Sequence, residues 1–234
     1  MSGRVEALLL LFDIDGTLVR TAGAGRYALE RSFEEMFGVA HSLRGVRLDG
    51  NTDPSIYEVM FQTRLGRPPA PDEVQQLQVR YLAHLEVSLV DRADGYQVLP
   101  GVEAILKEAV RRAYSLGLCT GNIEAGARMK LRPGRLDAFF PFGGFGSDHG
   151  DRAVLVQRAL ERAGRHAGRT VSPEEAVLFG DTERDVDAAR RAGARSVGVC
   201  AGCTDRDTLA AAQPDFLAES LDDPGLWRWL GWTL

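Results

Sequence analysis

The sequence predicts an α/β fold, in which a parallel sheet carries helices on both faces and a helical module is inserted after the first strand. Short apolar runs alternate with amphipathic helical patterns along most of the chain, which is typical of a parallel sheet covered by helices. The stretch between positions 17 and 99 breaks this alternation, because it shows two helical stripes with no convincing strand between them. Together the two observations predict a sheet domain with an insertion.

Four apolar runs are expected to form strands of this sheet. The first, 7–12, is continuously apolar and ends at two aspartates, as a buried central strand would. The others are 115–119, 176–179 and 196–200, and a Phe- and Gly-rich stretch within 135–150 is expected to add a short strand. Apolar residues at helical spacing predict helices after Gly101, over 152–163 and over 183–192.

The inserted region carries two apolar stripes at helical spacing. They are Leu29, Phe33, Met36 and Phe37, and then Val74, Leu77, Tyr81, Leu85 and Leu89. A helical module between the first strand and the next strand–helix unit is typical of a separate lid. We therefore expect an α-helical cap domain over 20–96 and a sheet domain built from 1–19 and 97–234.

Composition excludes several classes of protein. The 234 residues are 44% hydrophobic and 26% charged, which is ordinary for a soluble globular chain. The formal net charge of -5 offers no basic field to recruit nucleic acid, and the apolar run at 7–12 is too short to span a membrane. We expect neither a nucleic-acid nor a membrane partner. Whether the protein is a monomer or a homodimer stays open.

Cysteine usage predicts a reducing, cytoplasmic location, because three cysteines in a chain of this length do not suggest a disulfide scaffold. Cys200 and Cys203 have CxxC spacing. A lone pair without a second pair is a weak signal for zinc or redox chemistry, so no role is assigned to it.

Three predicted strands end in polar groups: Asp13 and Asp15 follow the first, Thr120 the second and Asp181 the third. In an open parallel sheet, the loops at the carboxyl ends of the strands form the ligand crevice. A single aspartate after a strand is often only the N-cap of the next helix. The agreement of three strand ends makes a functional site the better interpretation.

Asp13 and Asp15 lie two residues apart on extended backbone, so their side chains start on the same side of the strand. Two carboxylates this close repel, and the pKa of one rises unless a cation neutralises them. Mg²⁺ prefers carboxylate oxygens and would keep one carboxylate ionised as a nucleophile. The other could then transfer protons. Gly16 permits a turn and the close approach of phosphate oxygens.

These residues resemble a known family. The sequence Asp13-Ile14-Asp15-Gly16-Thr17 resembles the DxDGT motif of the haloacid dehalogenase-like (HAD) phosphohydrolases. The stretch 118–122 resembles their second motif, an apolar strand that ends in Ser or Thr, and 178–185 resembles their fourth, GDxxxD after an apolar strand. The resemblance extends along most of the chain and implies a Rossmann-like sheet.

The resemblance implies a role for each matching residue. Asp13 would be the nucleophile and a magnesium ligand, and Asp15 the general acid/base with its backbone carbonyl on the metal. Thr120 would hold a phosphoryl oxygen, and Asp181 and Asp185 would complete the Mg²⁺ site. Further substrate contacts are expected from Gly16, Thr17, Gly121, Asn122 and Lys130. Asp187 is interpreted as a solvated surface charge.

The cation that faces Asp13 has two candidates, because the Lys-Pro pair common in relatives is absent here. Counting back along the predicted helix places Arg152 near the expected position, where a guanidinium could clamp phosphate. Lys130 is the competitor, and it reaches the crevice only if its helix tilts inward. We favour Arg152.

Within the family, the resemblance favours a magnesium-dependent phosphatase that hydrolyses a small phosphate monoester through an aspartyl-phosphate. Dehalogenase relatives lack a carboxylate at the position of Asp15, and mutase relatives carry a histidine soon after DxDGT, whereas 20–30 has none. A sugar-phosphate mutase and a non-enzymatic phospholigand-binding module remain alternatives.

The insertion resembles the cap of phosphoglycolate phosphatase-like members. Specificity is expected from the cap at Gly23, Arg26, Arg44, Arg47 or the loop 51–54. The implied partner is a small organophosphate, of which phosphoglycolate is one example.

Overall fold

The computed structural model describes residues 9–202 and 204–232. Six strands form one parallel sheet in the order β5-β4-β1-β6-β7-β8, and the remaining two pair with each other. In chain order the strands are β1 (Leu9–Phe12), β2 (Val19–Thr21), β3 (Tyr96–Val98), β4 (Ser115–Thr120), β5 (Phe142–Phe145), β6 (Ala176–Gly180), β7 (Arg195–Val199) and β8 (Phe216–Ala218). The predicted parallel α/β sheet is confirmed.

Strand β1 lies at the centre of the sheet, between β4 and β6. Leu9 pairs with Ser115 on one side and with Ala176 on the other. Every residue of β1 is buried, which explains why its sequence is continuously apolar rather than alternating. The predicted strand began at position 7, but positions 7 and 8 lie outside the described residues.

Helices cover both faces of the sheet, as predicted. Leu10 and Phe12 point into one apolar cluster, whereas Leu9 and Leu11 point into another, because successive side chains of a strand face opposite sides. The helices are α1 (Ala24–Phe37), α2 (Asp53–Leu65), α3 (Pro71–Asp91), α4 (Val102–Arg111), α5 (Glu124–Leu131), α6 (Arg152–Ala167), α7 (Glu183–Ala192), α8 (Arg206–Ala211) and α9 (Pro224–Trp229).

Helices α1, α2 and α3 share an apolar cluster of their own. Phe33 of α1, Phe61 of α2 and Leu85 of α3 are fully buried in it. A separate cluster supports the division into a cap over 20–96 and a sheet domain, although that division stays a prediction.

Strands β2 and β3 lie on either side of the two helical stripes and are not among the strands that the sequence predicts. They pair antiparallel, with Arg20 opposite Gln97, where the chain leaves the sheet domain and returns to it. Three residues are too few to show a period of two, so the sequence pattern did not reveal them. Strand β8 also has only three residues, and the sequence pattern does not predict it for the same reason.

Helix α2 differs from the sequence prediction, which expects a loop over 51–54. The helix begins at Asp53, and the Thr52 hydroxyl caps it by accepting a hydrogen bond from the Ser55 backbone N–H at 3.4 Å. Pro54 is compatible with this start, since proline fits the first turn of a helix. Among the described residues, no helix combines the length and apolar character needed to cross a membrane.

Candidate active site

The order of the strands brings the predicted site residues together. Strands β4, β1 and β6 are neighbours, so the residues at their carboxyl ends, Thr120, Asp13 and Asp181, meet at one edge of the sheet. A cavity of about 400 Å³ opens there and extends toward helices α1 and α2. Its lining includes nine of the predicted residues: Asp13, Asp15, Gly16, Thr120, Gly121, Asn122, Lys130, Arg152 and Asp181.

Asp13 is buried beside other carboxylates. Burial raises the pKa of Asp13 to about 6, while the nearby Arg152 guanidinium opposes this rise. The carboxylates of Asp185 and Asp15 push the pKa further upward, and a hydrogen bond with Thr120 lowers it. In the absence of a metal, ionised Asp13 is therefore held in an unfavourable environment.

Asp13, Asp181 and Asp185 form a compact group of buried acids. One carboxylate oxygen from each lies within 4.8 Å of the other two. Gly16 has φ of +79°, and a Cβ atom at this position would lie 2.3 Å from Asp181 Oδ2. Only glycine therefore lets the turn approach the carboxylate so closely. Three converging hard oxygen ligands fit Mg²⁺ well.

Arg152 contacts two members of this acid group. It is the first residue of α6, and its Nη2 atom lies 3.3 Å from Asp13 Oδ2. The same atom donates a hydrogen bond to Asp185. The other oxygen of Asp185 accepts from the Thr182 hydroxyl at 2.6 Å. Asp185 is thereby fixed from both sides and belongs to the acid group.

Lys130 also reaches the crevice, and it contacts a different carboxylate. Its Nζ donates to Asp15 Oδ2 at 2.7 Å and to Asn122 Oδ1 at 2.6 Å. Burial lowers the pKa of Lys130, but the facing acidic groups of Asp15, Tyr81 and Asp53 raise it more, so the amine stays protonated. Both candidate cations thus line the site, with Arg152 beside Asp13 and Lys130 beside Asp15.

Asn122 connects the two carboxyl ends of β1 and β4. Its Nδ2 donates to Asp15 Oδ2 at 2.9 Å and to Thr120 Oγ1 at 2.8 Å. Because its Oδ1 accepts from Lys130, the amide orientation is defined by its partners. Asp15, half of whose side chain is exposed to the cavity side, is therefore held by an amide and an ammonium group.

Asp53 belongs to the loop 51–54 that is expected to give specificity, although the sequence assigns it no individual role. Its carboxylate accepts from the Ile123 N–H at 2.8 Å, and its own N–H donates to the Gly121 carbonyl at 2.8 Å. Burial raises the pKa of Asp53 to about 6, against the effect of Lys130. The Asp-Pro start of a helix was the available signal.

The expected specificity residues separate into two groups. Gly23, Arg26, Asn51 and Asp53 line the cavity, whereas Arg44 and Arg47 do not. Arg47 instead donates to Glu183 on helix α7 at 2.7 Å. Gly121 packs so closely on the cap loop that a Cβ atom would lie 2.2 Å from the Asn51 carbonyl oxygen.

Thr17, Cys200 and Asp187 do not line the cavity. Thr17 is buried, and its hydroxyl has no hydrogen-bond partner among the described residues, so the geometry gives no support to substrate binding by Thr17. The turn at Gly16 directs it into the interior. Cys200 is a free, half-buried thiol, and Cys203 lies outside the described residues. Asp187 is exposed on α7, as expected.

The chain matches a model of the haloacid dehalogenase-like hydrolase family over residues 10–199. It is 32% identical over 189 residues to a phosphoglycolate phosphatase of Cereibacter sphaeroides, which covers 80% of this chain and 82% of the relative. A phosphoglycolate phosphatase of Escherichia coli O157:H7 is 26% identical over 236 residues, covering 91% of this chain and 88% of the relative.

Solved structures share the fold. CbbY from Rhodobacter sphaeroides, determined in complex with phosphate, superposes with a TM-score of 0.71 at 20% identity, covering 92% of this chain and 95% of that chain. The family match spans the three strand ends that carry Asp13, Thr120 and Asp181. The chain therefore belongs to the haloacid dehalogenase-like hydrolase family, in its phosphoglycolate phosphatase-like branch.

Proposed function

We propose that the protein is a phosphatase that hydrolyses a small phosphate monoester with the help of Mg²⁺ and forms an aspartyl-phosphate on Asp13. The observation that carries the proposal is the arrangement around Asp13. A buried carboxylate at a strand end faces a guanidinium at 3.3 Å and a cavity large enough for an ester. Membership of the family supports the same conclusion.

Asp13 supplies the nucleophilic oxygen. This oxygen attacks phosphorus while the bond to the leaving alcohol breaks, which produces the aspartyl-phosphate. Arg152 and the Thr120 hydroxyl lie where they can bind phosphoryl oxygens and balance the charge that develops on them. The backbone N–H groups that follow Thr120 are further donors for the same group.

Asp15 acts as the general acid and then as the general base. It donates a proton to the departing alkoxide, and it later takes a proton from the water that attacks the aspartyl-phosphate. Lys130 and Asn122 hold one oxygen of Asp15 at 2.7 and 2.9 Å, which leaves the other oxygen for this transfer. They act as positioning residues.

Asp13, Asp181 and Asp185, with the backbone carbonyl of Asp15, would hold Mg²⁺. The ion would supply positive charge beside the phosphoryl group. The Arg152 guanidinium contacts Asp13 and Asp185 and supplies one positive charge against their two carboxylates, so the group suits a divalent ion.

A cytoplasmic location is also proposed, and the free thiols of Cys119 and Cys200 are compatible with it. The state of assembly, monomer or homodimer, stays a prediction.

Replacement of the nucleophile tests the proposal most simply. We expect Asp13→Asn to lower kcat for Mg²⁺-dependent phosphate release by at least about 10³-fold, because the amide is a poor nucleophile. Asp187→Asn, an exposed carboxylate two residues after Asp185, is the matched control and should leave kcat unchanged. Steady-state release of phosphate measures both, and full activity in Asp13→Asn would contradict the mechanism.

The same substitution should stabilise the metal-free protein. A carboxyl whose pKa is raised to about 6 on folding contributes stability below its unfolded pKa of 3.8, and this contribution is lost as the pH rises through about 6. In EDTA at about pH 8, Asp13→Asn should therefore unfold with a free energy up to about 3 kcal/mol higher than the wild type.

The gain should shrink toward about pH 4, where Asp13 is largely protonated in the folded wild type. Urea unfolding at several pH values measures the difference, and Asp187→Asn should stay within about 0.5 kcal/mol of wild type throughout. Saturating Mg²⁺ should stabilise the wild type more than Asp13→Asn. A loss of stability in Asp13→Asn at high pH would refute this reading of the acid group.

The two cations should differ in their dependence on the leaving group. Arg152→Ala removes the charge beside Asp13 and should reduce turnover of 4-nitrophenyl phosphate and of an alkyl phosphate alike, by about 10²-fold or more. Lys130→Met removes the ammonium group that holds Asp15, the proposed general acid. The alkoxide of the alkyl ester needs a proton from Asp15 to leave, whereas 4-nitrophenolate needs little protonation. Turnover of the alkyl ester should therefore fall at least about tenfold more than turnover of 4-nitrophenyl phosphate.

Lys107→Met changes an exposed lysine on α4 and is the control for loss of a lysine. Circular dichroism checks that the Lys130 variant folds. If only the Lys130 substitution abolishes turnover, and does so equally for both esters, Arg152 is not the cation that serves Asp13.

A further inference from the structure

The cavity at the site is larger than the phosphate chemistry requires. It measures about 400 Å³, equal to roughly a dozen water molecules at their volume in the liquid. A phosphoryl group and a metal ion occupy only the end formed by the strands. A two-carbon leaving group would leave much of the part under the cap filled with water.

Part of the cavity under the cap has an apolar wall formed by four side chains. Leu29 of α1 and Ile56 of α2 are buried and contribute to the lining, and so does buried Tyr81 of α3, whose hydroxyl faces Lys130. Leu48, which precedes α2, completes this wall and is half-buried. Water in contact with such a wall is readily displaced by an apolar group, which gains free energy in proportion to the area buried.

Charged residues of the cap also line the cavity, and their positions are compatible with an apolar wall. Asp53 lines the cavity, but its carboxylate already accepts from the Ile123 N–H. Arg20, Arg26 and Asp49 also line it, and all three are exposed, which places them on its solvent side. The contacts of Arg26 are long, at 3.5 Å to the Leu43 carbonyl and 3.9 Å to Glu30, so an anionic substituent of a substrate can compete for it.

We infer that the preferred substrate is a phosphate monoester whose leaving alcohol carries an apolar group about the size of an aromatic ring, bound against Leu29, Leu48, Ile56 and Tyr81. This inference rests on the proposed phosphatase function and specifies its substrate class. The apolar group binds under the cap while the phosphoryl group lies between Asp13 and Arg152. Phosphoglycolate, with two carbons, fills the polar end alone.

A series of esters with the same functional groups tests the inference. In 2-phosphoglycolate, 2-phospholactate and 2-phospho-3-phenyllactate, the phosphate and carboxylate are constant and only the apolar substituent grows. The leaving group of each of the three esters is an alkoxide. Differences in kcat/KM therefore do not arise from the higher reactivity of an aryl ester. We expect kcat/KM with Mg²⁺ to rise at least about tenfold from the first to the last.

Substitutions at Leu48 test where the apolar group binds. Leu48→Trp should fill the space and lower kcat/KM for the phenyl ester at least about tenfold, while that for phosphoglycolate changes less than about threefold. Leu48→Ala removes contacts without adding bulk. It should lower kcat/KM for the phenyl ester about a few-fold and leave kcat/KM for phosphoglycolate unchanged. Val59→Trp on the exposed side of α2 is the control for added bulk and should change neither.

Each other result rejects the inference. It is wrong if wild-type protein prefers phosphoglycolate to the phenyl ester, or if the Leu48 variants affect both esters equally. If no ester of any kind is hydrolysed with Mg²⁺, the proposed phosphatase function itself fails. Hydrolysis of phosphoglycolate alone would leave that function intact and overturn only the substrate class.

Discussion

The structure around the site depends on three buried carboxylates that meet within 4.8 Å at the end of two neighbouring strands. Such a group is unfavourable without positive charge, and the raised pKa of Asp13 reflects this. Arg152 offsets part of the repulsion from the first turn of α6. A bound divalent ion would offset the rest, so the metal would contribute to stability as well as to chemistry. The fold thus maintains locally unfavourable charge where catalysis uses it.

The two buried cations contact different carboxylates, and these carboxylates have different proposed roles. In the proposed mechanism Asp13 stays ionised to attack phosphorus, and Arg152 contacts it directly. Asp15 exchanges a proton in the same proposal, and it is held by Lys130 and Asn122 instead. Asp53 extends this second network into the cap, since its carboxylate faces Lys130 and binds the backbone at Ile123. Helix α2 is therefore linked to the segment 121–123 by buried polar contacts that lie beside Lys130, the partner of Asp15.

The sequence revealed the parts of this arrangement that follow from the sheet. Continuous apolar runs predict central parallel strands, and polar residues at their ends predict one shared crevice, which is why Asp13, Thr120 and Asp181 were found together. Other parts depend on contacts between distant segments. The direction of Lys130 is set by the packing of α5, and Asp53 becomes part of the site only because α2 docks against Gly121. Three-residue strands such as β2 and β3 carry too little pattern to detect.

The role of Asp13 can be examined directly during turnover. The protein is mixed with Mg²⁺ and an ester that carries labelled phosphorus, and the reaction is quenched with acid. Peptide mass spectrometry then locates any phosphorylated side chain. The account predicts acid-stable label on the peptide that contains Asp13, lost when Asp13 is replaced by Asn and retained when Asp187 is replaced. Label on another residue, or rapid release of phosphate with no labelled protein at any time in the pre-steady state, would contradict it.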